Sequence, residues 1–322
     1  MHDQKLNVAL IGAGHFGTLH LQVLHRLPNV NVSGVYDIDP SARERLNDLY
    51  PDVHFYSDLN SLLSEKSIHA VHITSDESTH YELAMSVLEA GKHAFIEKPL
   101  ATTAAEARDI VDLAKRRGCK IGVGHILRHD FRHVAMHEAV TNGSIGRLQV
   151  MTFRRNFKRE AFDRYGRINA YITALVHDID LAHFFSGEKM RVVSGFQAYP
   201  GYRSYRYNTA ILETESGIIA NLENLWLLPN HYPHDMEYEC VLYGTKGVLR
   251  LRIEPDLEWF GEKTQYFEHY LEQALCNELQ SFVQHVLQES PFTPSPEECV
   301  HTIEIAENLM NTSQIIANGK DE

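Results

Sequence analysis

VALIGAGHFGTLH, residues 8–20, runs four apolar residues straight into the pattern G-x-G-x-x-G, formed by Gly12, Gly14 and Gly17. So short an apolar run reads as a buried strand, and the segment after it reads as the first turn of a helix. Each glycine has a task. The first permits a tight turn, the second lets the main chain approach a pyrophosphate, and the third lets helix pack closely on strand, with the phosphates at the helix N-terminus beside His15 and Phe16. Asp37 ends the next apolar stretch, GVYDID (34–39), about 20 residues further on, where a carboxylate accepts hydrogen bonds from the adenosine ribose. No arginine stands beside Asp37 in the sequence, so the expected cofactor is NAD rather than NADP.

The segments around this stretch repeat the same grammar. KLNVALI (5–11), VNVSGVYD (30–37), HAVHIT (69–74), HAFIE (93–97) and CKIGVGH (119–125) read as strands. Between them TLHLQVLHRL (18–27), THYELAMSVLEAG (79–91) and AAEARDIVDLAKRRG (104–118) space their apolar residues as helices do. Strand and helix in alternation predict a doubly wound parallel sheet over residues 1–125. Residues 126–322 have a different texture. Two helices, FRHVAMHEAVTNG (131–143) and YITALVHDIDLAHFF (171–185), accompany the alternating stretches RLQVMTFRRNF (147–157), AILETESGIIANLENLWLL (210–228) and YECVLYGTKGVLRLRI (238–253). These predict a second α/β domain on an open, mostly antiparallel sheet. NELQSFVQHVLQ (277–288) and PSPEECVHTIEIAENLMNTSQII (294–316) read as closing helices, expected to lie near the domain junction, and the final NGKDE as frayed.

The chain has 322 residues, 43% hydrophobic, and a net charge of −13. That length suits two domains, and that charge argues against nucleic acid or an anionic membrane as partner, since either attracts a basic face. A small-molecule substrate is expected. The four cysteines, Cys119, Cys240, Cys276 and Cys299, form no Cys-x-x-Cys pair, which suits a reducing cytoplasm. No signal peptide or membrane span is expected.

GKHAFIEKPLATT (91–103) raises a chemical question, because an apolar strand is followed at once by Glu97, Lys98 and Pro99. Proline biases its predecessor toward extended geometry, placing Lys98 at the carboxyl end of a strand, the edge where open α/β sheets bind ligands. Together with GAGHFGTLH (12–20), STHYELAMSVLEAGKHAFIEKPLATT (78–103), VHDIDLAHFF (176–185), LYGTKGVLRL (242–251) and SPEECVHTIEIAENL (295–309), the chain resembles the Gfo/Idh/MocA oxidoreductases over nearly its whole length. The resemblance implies a Rossmann domain, a second α/β domain, NAD, and a homodimer or homotetramer. It implies Lys98 beside the nicotinamide and His177 as the catalytic base, with Ser75, His80 and Glu97 on the cofactor side. Ser75–Asp76 stands where the family usually has Thr-Pro. Many members carry an aspartate four residues before the histidine, one turn back on the same helix face, where this chain has Thr173. Asp178 and Asp180 are expected to be capping, solvated or supporting groups. Arg128, Asn156, Tyr165, Thr173 and His177 are the expected substrate-side positions; for Arg128 a surface arginine at a helix start is the alternative.

The implied reaction is NAD-dependent oxidation of a secondary sugar hydroxyl to a ketone. RRNFKREAFDRYGR (154–167) gathers Arg154, Arg155, Lys158, Arg159, Arg164 and Arg167, and such a patch suggests a phosphate or diphosphate on the substrate, or else a solvated sheet edge or oligomer contact. With the phrasing of GHILR (124–128) and VHDIDL (176–181), the chain looks most similar within the family to UDP-sugar dehydrogenases, with UDP-N-acetylglucosamine oxidised at C3 for lipid A assembly as the specific expectation. Alternatives are an inositol-type or free-sugar dehydrogenase, a non-enzymatic NAD-bound sensor, and a glycosidase using transient NAD oxidation. Tyr202, Tyr205 and Tyr207 alternate with Arg203 and Arg206 in GYRSYRYN (201–208), a pattern that fits base stacking or an exposed strand face. His125, His129, His133 and His137 recur every four residues, yet no acidic or cysteine set completes a tetrahedral site, so no metal is expected.

Overall fold

The computed structural model describes residues 5–201, 204–252, 258–260, 264–266 and 270–316. Tyr202, Arg203 and the terminal NGKDE lie outside the described residues. The chain forms two compact units, Met1–Asp130 with Tyr270–Val300, and Phe131–His269 with His301–Glu322.

The first unit is built on a six-stranded parallel sheet: β1 (Leu6–Ile11), β2 (Val30–Tyr36), β3 (His54–Phe55), β4 (Ala70–Ile73), β5 (His93–Glu97) and β6 (Ile121–Gly124), in the order β3-β2-β1-β4-β5-β6. All pairings are parallel. Helices α1 (His15–Arg26), α2 (Ser41–Asn47), α3 (Leu59–Ser64), α4 (His80–Glu89) and α5 (Ala104–Arg117) make the crossovers. Strands covered on both faces read as continuous apolar runs, and β4 is buried at every position. β3 has only two residues at the sheet edge, too few to leave a periodic signal in the sequence. The strand order reverses direction between β1 and β4, and dinucleotides bind at such a reversal.

A single boundary near residue 125 is therefore not what the fold adopts. The helix Tyr270–Gln288 belongs to the first unit, where Leu275, Leu279, Phe282 and Val283 share one apolar core with Leu10, Leu21, Leu24 and Phe95. The cause is hydrophobic: without that helix the core around Phe95 would face water on one side. Fully buried His72 stacks on Phe95 at 5.1 Å between ring centroids and meets Phe282 edge-on at 5.7 Å. Burial, reinforced by the neighbouring His20, pushes the His72 pKa well down and keeps its imidazole neutral.

The second unit begins with α6 (Phe131–Thr141), β7 (Leu148–Lys158) and α7 (Ala161–Tyr165), followed by α8 (Ala170–Thr173) and α9 (Val176–Ser186). Then come β8 (Met190–Pro200), β9 (Tyr205–Thr214), β10 (Ile219–Leu228), β11 (Met236–Gly244), β12 (Val248–Arg252), β13 (Glu258–Phe260) and β14 (Thr264–Tyr266). Tyr270–Gln288 is α10; α11 (Pro296–Thr312), with Pro296 at its first position, and β15 (Gln314–Ile315) close the chain. The large sheet runs β12-β11-β7-β10-β9-β8-β15. It is mostly antiparallel, as expected, with parallel contacts at β7–β10 and β8–β15. β8 was not among the expected strands.

The helix expected over 171–185 is two. Asn169 caps α8 by accepting the Tyr171 N–H, and the Leu175 N–H returns to Ala170 O, so the turn closes before α9 starts. Thr173 consequently ends α8, while His177 is the second residue of α9, and the two do not share one helix. Among the described residues no helix is long and apolar enough to cross a membrane.

Candidate active site

In the first unit, the loops after β1, β2, β4 and β5 bring most of the expected cofactor residues to one edge of the sheet. Gly12 has φ +92°, and a Cβ there would stand 2.7 Å from Ser75 N; at Gly17 it would stand 2.0 Å from Gly12 O. Both must be glycine for the turn to close on the loop after β4. Gly14, by contrast, has nothing within 4 Å of where a Cβ would point. Gly14 is the N-cap of α1, and the first-turn N–H groups of His15, Phe16 and Gly17 that follow it are the kind of donors that fit the pyrophosphate of NAD.

Thr74, which the sequence did not single out, locks this turn by donating its hydroxyl to Gly12 O at 2.6 Å. Asp37 braces it from β2: Oδ2 accepts the Ala13 N–H at 2.5 Å and Oδ1 the Asp39 N–H at 2.7 Å. An arginine is present after all. Arg45, brought in by α2, donates to Ala13 O at 3.3 Å, to Ser41 Oγ at 2.7 Å and to Asp39 Oδ2 at 3.2 Å. Hydrogen bonds from Ser41, followed by Arg45, hold the exposed Asp39 carboxyl below its ordinary range. A carboxylate at Asp37 would repel a 2′-phosphate by its charge. Asp37→Ser is expected to raise the KM for NAD by about 10- to 100-fold, the worth of hydrogen bonds to a charged group, and to let NADP compete; initial rates with both cofactors check it, and unchanged discrimination would sink the role given to Asp37.

Glu97 ends β5, and Lys98, half-buried, follows it immediately. The carboxylate of Glu97 accepts the Lys98 N–H at 3.2 Å on Oε2 and the Nε2–H of buried His20 at 2.9 Å on Oε1. His80, also buried, reaches Pro99 O through Nδ1 at 2.7 Å and Ser75 O through Nε2 at 3.3 Å. Burial lowers the His80 pKa, outweighing those two carbonyls, so the neutral ring donates through one nitrogen only, and the shorter contact marks Nδ1–H. His80 therefore ties the loop after β4 to the main chain following Lys98. Further along, Thr103 and Glu106 form a capping box at the start of α5, and Thr102 donates to the same Glu106 carboxylate. The segment Glu97–Thr103 is pinned at both ends.

Arg128 follows β6. It is buried within the first unit and donates to Glu298 Oε1 at 2.8 Å and Thr293 Oγ1 at 3.2 Å. Its burial sets aside the surface arginine at a helix start.

In the second unit the bridge beside His177 is strong. Arg155, from β7, meets Asp178 in a bidentate pair at 2.9 and 2.7 Å, with Asp178 wholly buried and Arg155 only 5% exposed. Burial lowers the arginine pKa, yet the Asp178 charge and hydrogen bonds outweigh it, so the net shift is upward. Asp178 and Asp180 are both buried, which sets aside the solvated alternative among the three expected for them and leaves Asp178 a supporting group. The Arg155 guanidinium also lies 4.6 Å over the Tyr238 ring. His177, half-buried, and buried Asn156 each sit one residue from this bridge, with Asn156 Nδ2 donating to Glu237 at 2.7 Å. Tyr165 is 42% exposed, its ring 6.3 Å from that of Trp226.

The basic segment does not form a free anion patch. Arg154 pairs with Glu223 at 3.0 Å, Arg155 with Asp178, and Lys158 with Asp235 at 3.3 Å. Arg159 and Arg167 donate to the carbonyls of Leu227 and Arg164. A surface depression of about 440 Å³ there mixes Arg159 and Arg206 with Glu160 and Asp163. Arg206 rests 4.2 Å over the Phe162 ring rather than presenting a base-stacking face. Three of the four periodic histidines have separate partners: His129 Nε2 meets Thr293 O, His133 Nε2 meets the Tyr238 hydroxyl, and His137 stacks on Phe184. Among the described residues no cluster of His, Cys, Asp or Glu is arranged to hold a metal ion.

Residues 6–125 match a family described as an oxidoreductase family with an NAD-binding Rossmann fold, and residues 133–250 match a GFO/IDH/MocA C-terminal domain. The chain is 30% identical over 306 residues to an inositol 2-dehydrogenase/D-chiro-inositol 3-dehydrogenase of Lactiplantibacillus plantarum, spanning 89% of this chain and 85% of that protein. It is 27% identical over 254 residues to an inositol 2-dehydrogenase of Salmonella typhimurium, 76% and 74% of the two chains. Its fold is similar to that of a scyllo-inositol dehydrogenase from Lactobacillus casei solved with NAD(H) and scyllo-inositol, with a TM-score of 0.85 over 96% of this chain and 97% of that one, at 18% identity.

Proposed function

This chain belongs to the Gfo/Idh/MocA oxidoreductases, and from that premise we propose that it oxidises a secondary hydroxyl of an inositol-like polyol to the ketone. That it is an NAD-dependent dehydrogenase acting on a sugar or polyol follows from its family and relatives; the inositol-like substrate is our reading. One observation carries it: the inositol dehydrogenase of Lactiplantibacillus plantarum aligns with 89% of the chain, through both units. The reading based on a nucleotide sugar, UDP-N-acetylglucosamine above all, drew in part on the basic segment, where Arg154, Arg155 and Lys158 are paired with Glu223, Asp178 and Asp235. The relatives named above are inositol dehydrogenases.

When bound, NAD supplies the hydride acceptor. In our reading Gly12, Gly14 and the first turn of α1 hold its pyrophosphate, Asp37 its adenosine ribose, and Ser75, Glu97 and Lys98 flank the nicotinamide side. His177 takes the proton of the substrate hydroxyl, and the fixed charge of Lys98 stabilises the alkoxide that develops. Thr173 stands where many family members carry an aspartate, and Asp178 is committed to Arg155. Those two residues therefore leave the support of imidazolium to the rest of the site.

The test is NADH formation followed in the nicotinamide absorbance band, with NAD and a panel of myo-inositol, scyllo-inositol, D-chiro-inositol, glucose and UDP-N-acetylglucosamine. Turnover of a cyclitol is expected. Signal with UDP-N-acetylglucosamine alone would overturn the polyol reading, and tight NAD binding with silence across the panel would favour a sensor.

A further inference from the structure

We propose that His20 is a positioning residue: through the carboxylate of Glu97 it fixes the main chain at Lys98. The inference rests on the reading of Lys98 given above and adds a second residue to it. His20 lies on α1, the helix whose first turn forms the phosphate cradle, and it is fully buried. Its ring is held by Phe16 at 5.3 Å, Phe95 at 5.6 Å and His72 at 6.0 Å between centroids, so its orientation is set by packing. From there Nε2 donates to Glu97 Oε1 at 2.9 Å.

The other sides of that carboxylate are closed as well. Oε2 accepts the Lys98 N–H, and on the β6 side a Cβ at Gly124 would come within 2.6 Å of Oε1. A carboxylate so enclosed cannot turn to a new donor without vacating its place, and a buried carboxylate without a donor is unfavourable. Loss of the His20 donor therefore moves Glu97 and releases the Lys98 amide. Through one hydrogen bond, α1 sets the position of the strand end that carries Lys98.

Three variants test this. His20→Leu removes the donor and keeps an apolar side chain; His20→Gln returns an N–H donor to the same core; Gly124→Ala presses on Glu97 from β6 without touching His20. Amide hydrogen exchange of the peptide containing Lys98 reads the contact, kcat with NAD and myo-inositol reads its consequence, and an NAD titration and thermal melt read binding and folding. His20→Leu and Gly124→Ala are expected to speed exchange at Lys98 about 10-fold and to lower kcat about 10- to 100-fold, the scale of a misplaced catalytic group. NAD affinity should stay within about 3-fold, well below the effect of losing a phosphate or ribose contact, and His20→Gln should recover most of the loss. If His20→Leu does not fold, Gly124→Ala carries the test. Exchange unchanged, or kcat unchanged with exchange raised, overturns the role of His20. Lys98→Ala retaining its turnover overturns the reading of Lys98 itself, whereas an inactive Lys98→Ala beside a fully active His20→Leu overturns only the part given to His20.

Discussion

Lys98→Ala is expected to lower kcat by about 100- to 1,000-fold, the equivalent of about 3–4 kcal/mol of transition-state stabilisation, while NAD still binds. The split follows from where the groups sit. The cofactor cradle is made by Gly12, Gly14, Gly17 and Asp37 after β1 and β2, whereas Lys98 follows β5, two strands away from β1 in the sheet. A fixed ammonium in a half-buried setting stabilises a developing alkoxide without having to reorganise solvent. Steady-state NADH formation and a fluorescence titration with NAD measure the two halves of the claim. A variant within about 3-fold of the parent kcat, too small a change for a lost charge-stabilising group, would remove Lys98 from the mechanism.

Breaking the Arg155–Asp178 pair on one side only is the largest stability effect expected. Arg155→Met or Asp178→Leu leaves one buried charge uncompensated, at a cost of about 3–5 kcal/mol. For a domain of this size that corresponds to a fall in Tm of roughly 6–20 °C. The double variant, with both charges gone, should recover much of the loss, because two apolar side chains of similar volume need no solvation. Thermal unfolding followed by circular dichroism gives the answer, and single variants as stable as the parent would show that the pair is not the anchor of α9. Since Asp178 is in the first turn of α9, beside His177, the same variants should also depress turnover.

What the sequence made legible is what chain-local geometry dictates. Gly12, Gly14 and Gly17 are spaced by one turn, Asp37 ends the next strand, and Lys98 precedes a proline at a strand end, so each could be placed from neighbours alone. Thr74, His20 and Arg45 could not. Their partners lie 62, 77 and 32 residues away, and only the order of strands in the sheet brings them together. The basic segment misled for a different reason. Successive residues of a strand point to opposite faces, so Arg154 is exposed while Arg155 next to it is buried against Asp178. Counting charges along a segment does not reveal that alternation. The split between α8 and α9 was hidden because apolar spacing continues across the break, while the hydrogen bond of Leu175 back to Ala170 ends the first turn.

The helix Tyr270–Gln288 gives the first unit a calendar. The ribosome completes the strands of that unit by residue 124 but must add every residue up to 288 before the last piece of its core exists. At ordinary elongation rates that is a wait of roughly 10–30 s. Throughout it, the surface that will meet Leu275, Leu279, Phe282 and Val283, Phe95 included, is bare on the nascent chain. An apolar surface left open that long is one that chaperones hold and that aggregates when they are scarce. A gene fragment ending near residue 130 would make that interval permanent, so the first unit is best produced as part of the whole chain or with residues 270–300 supplied alongside.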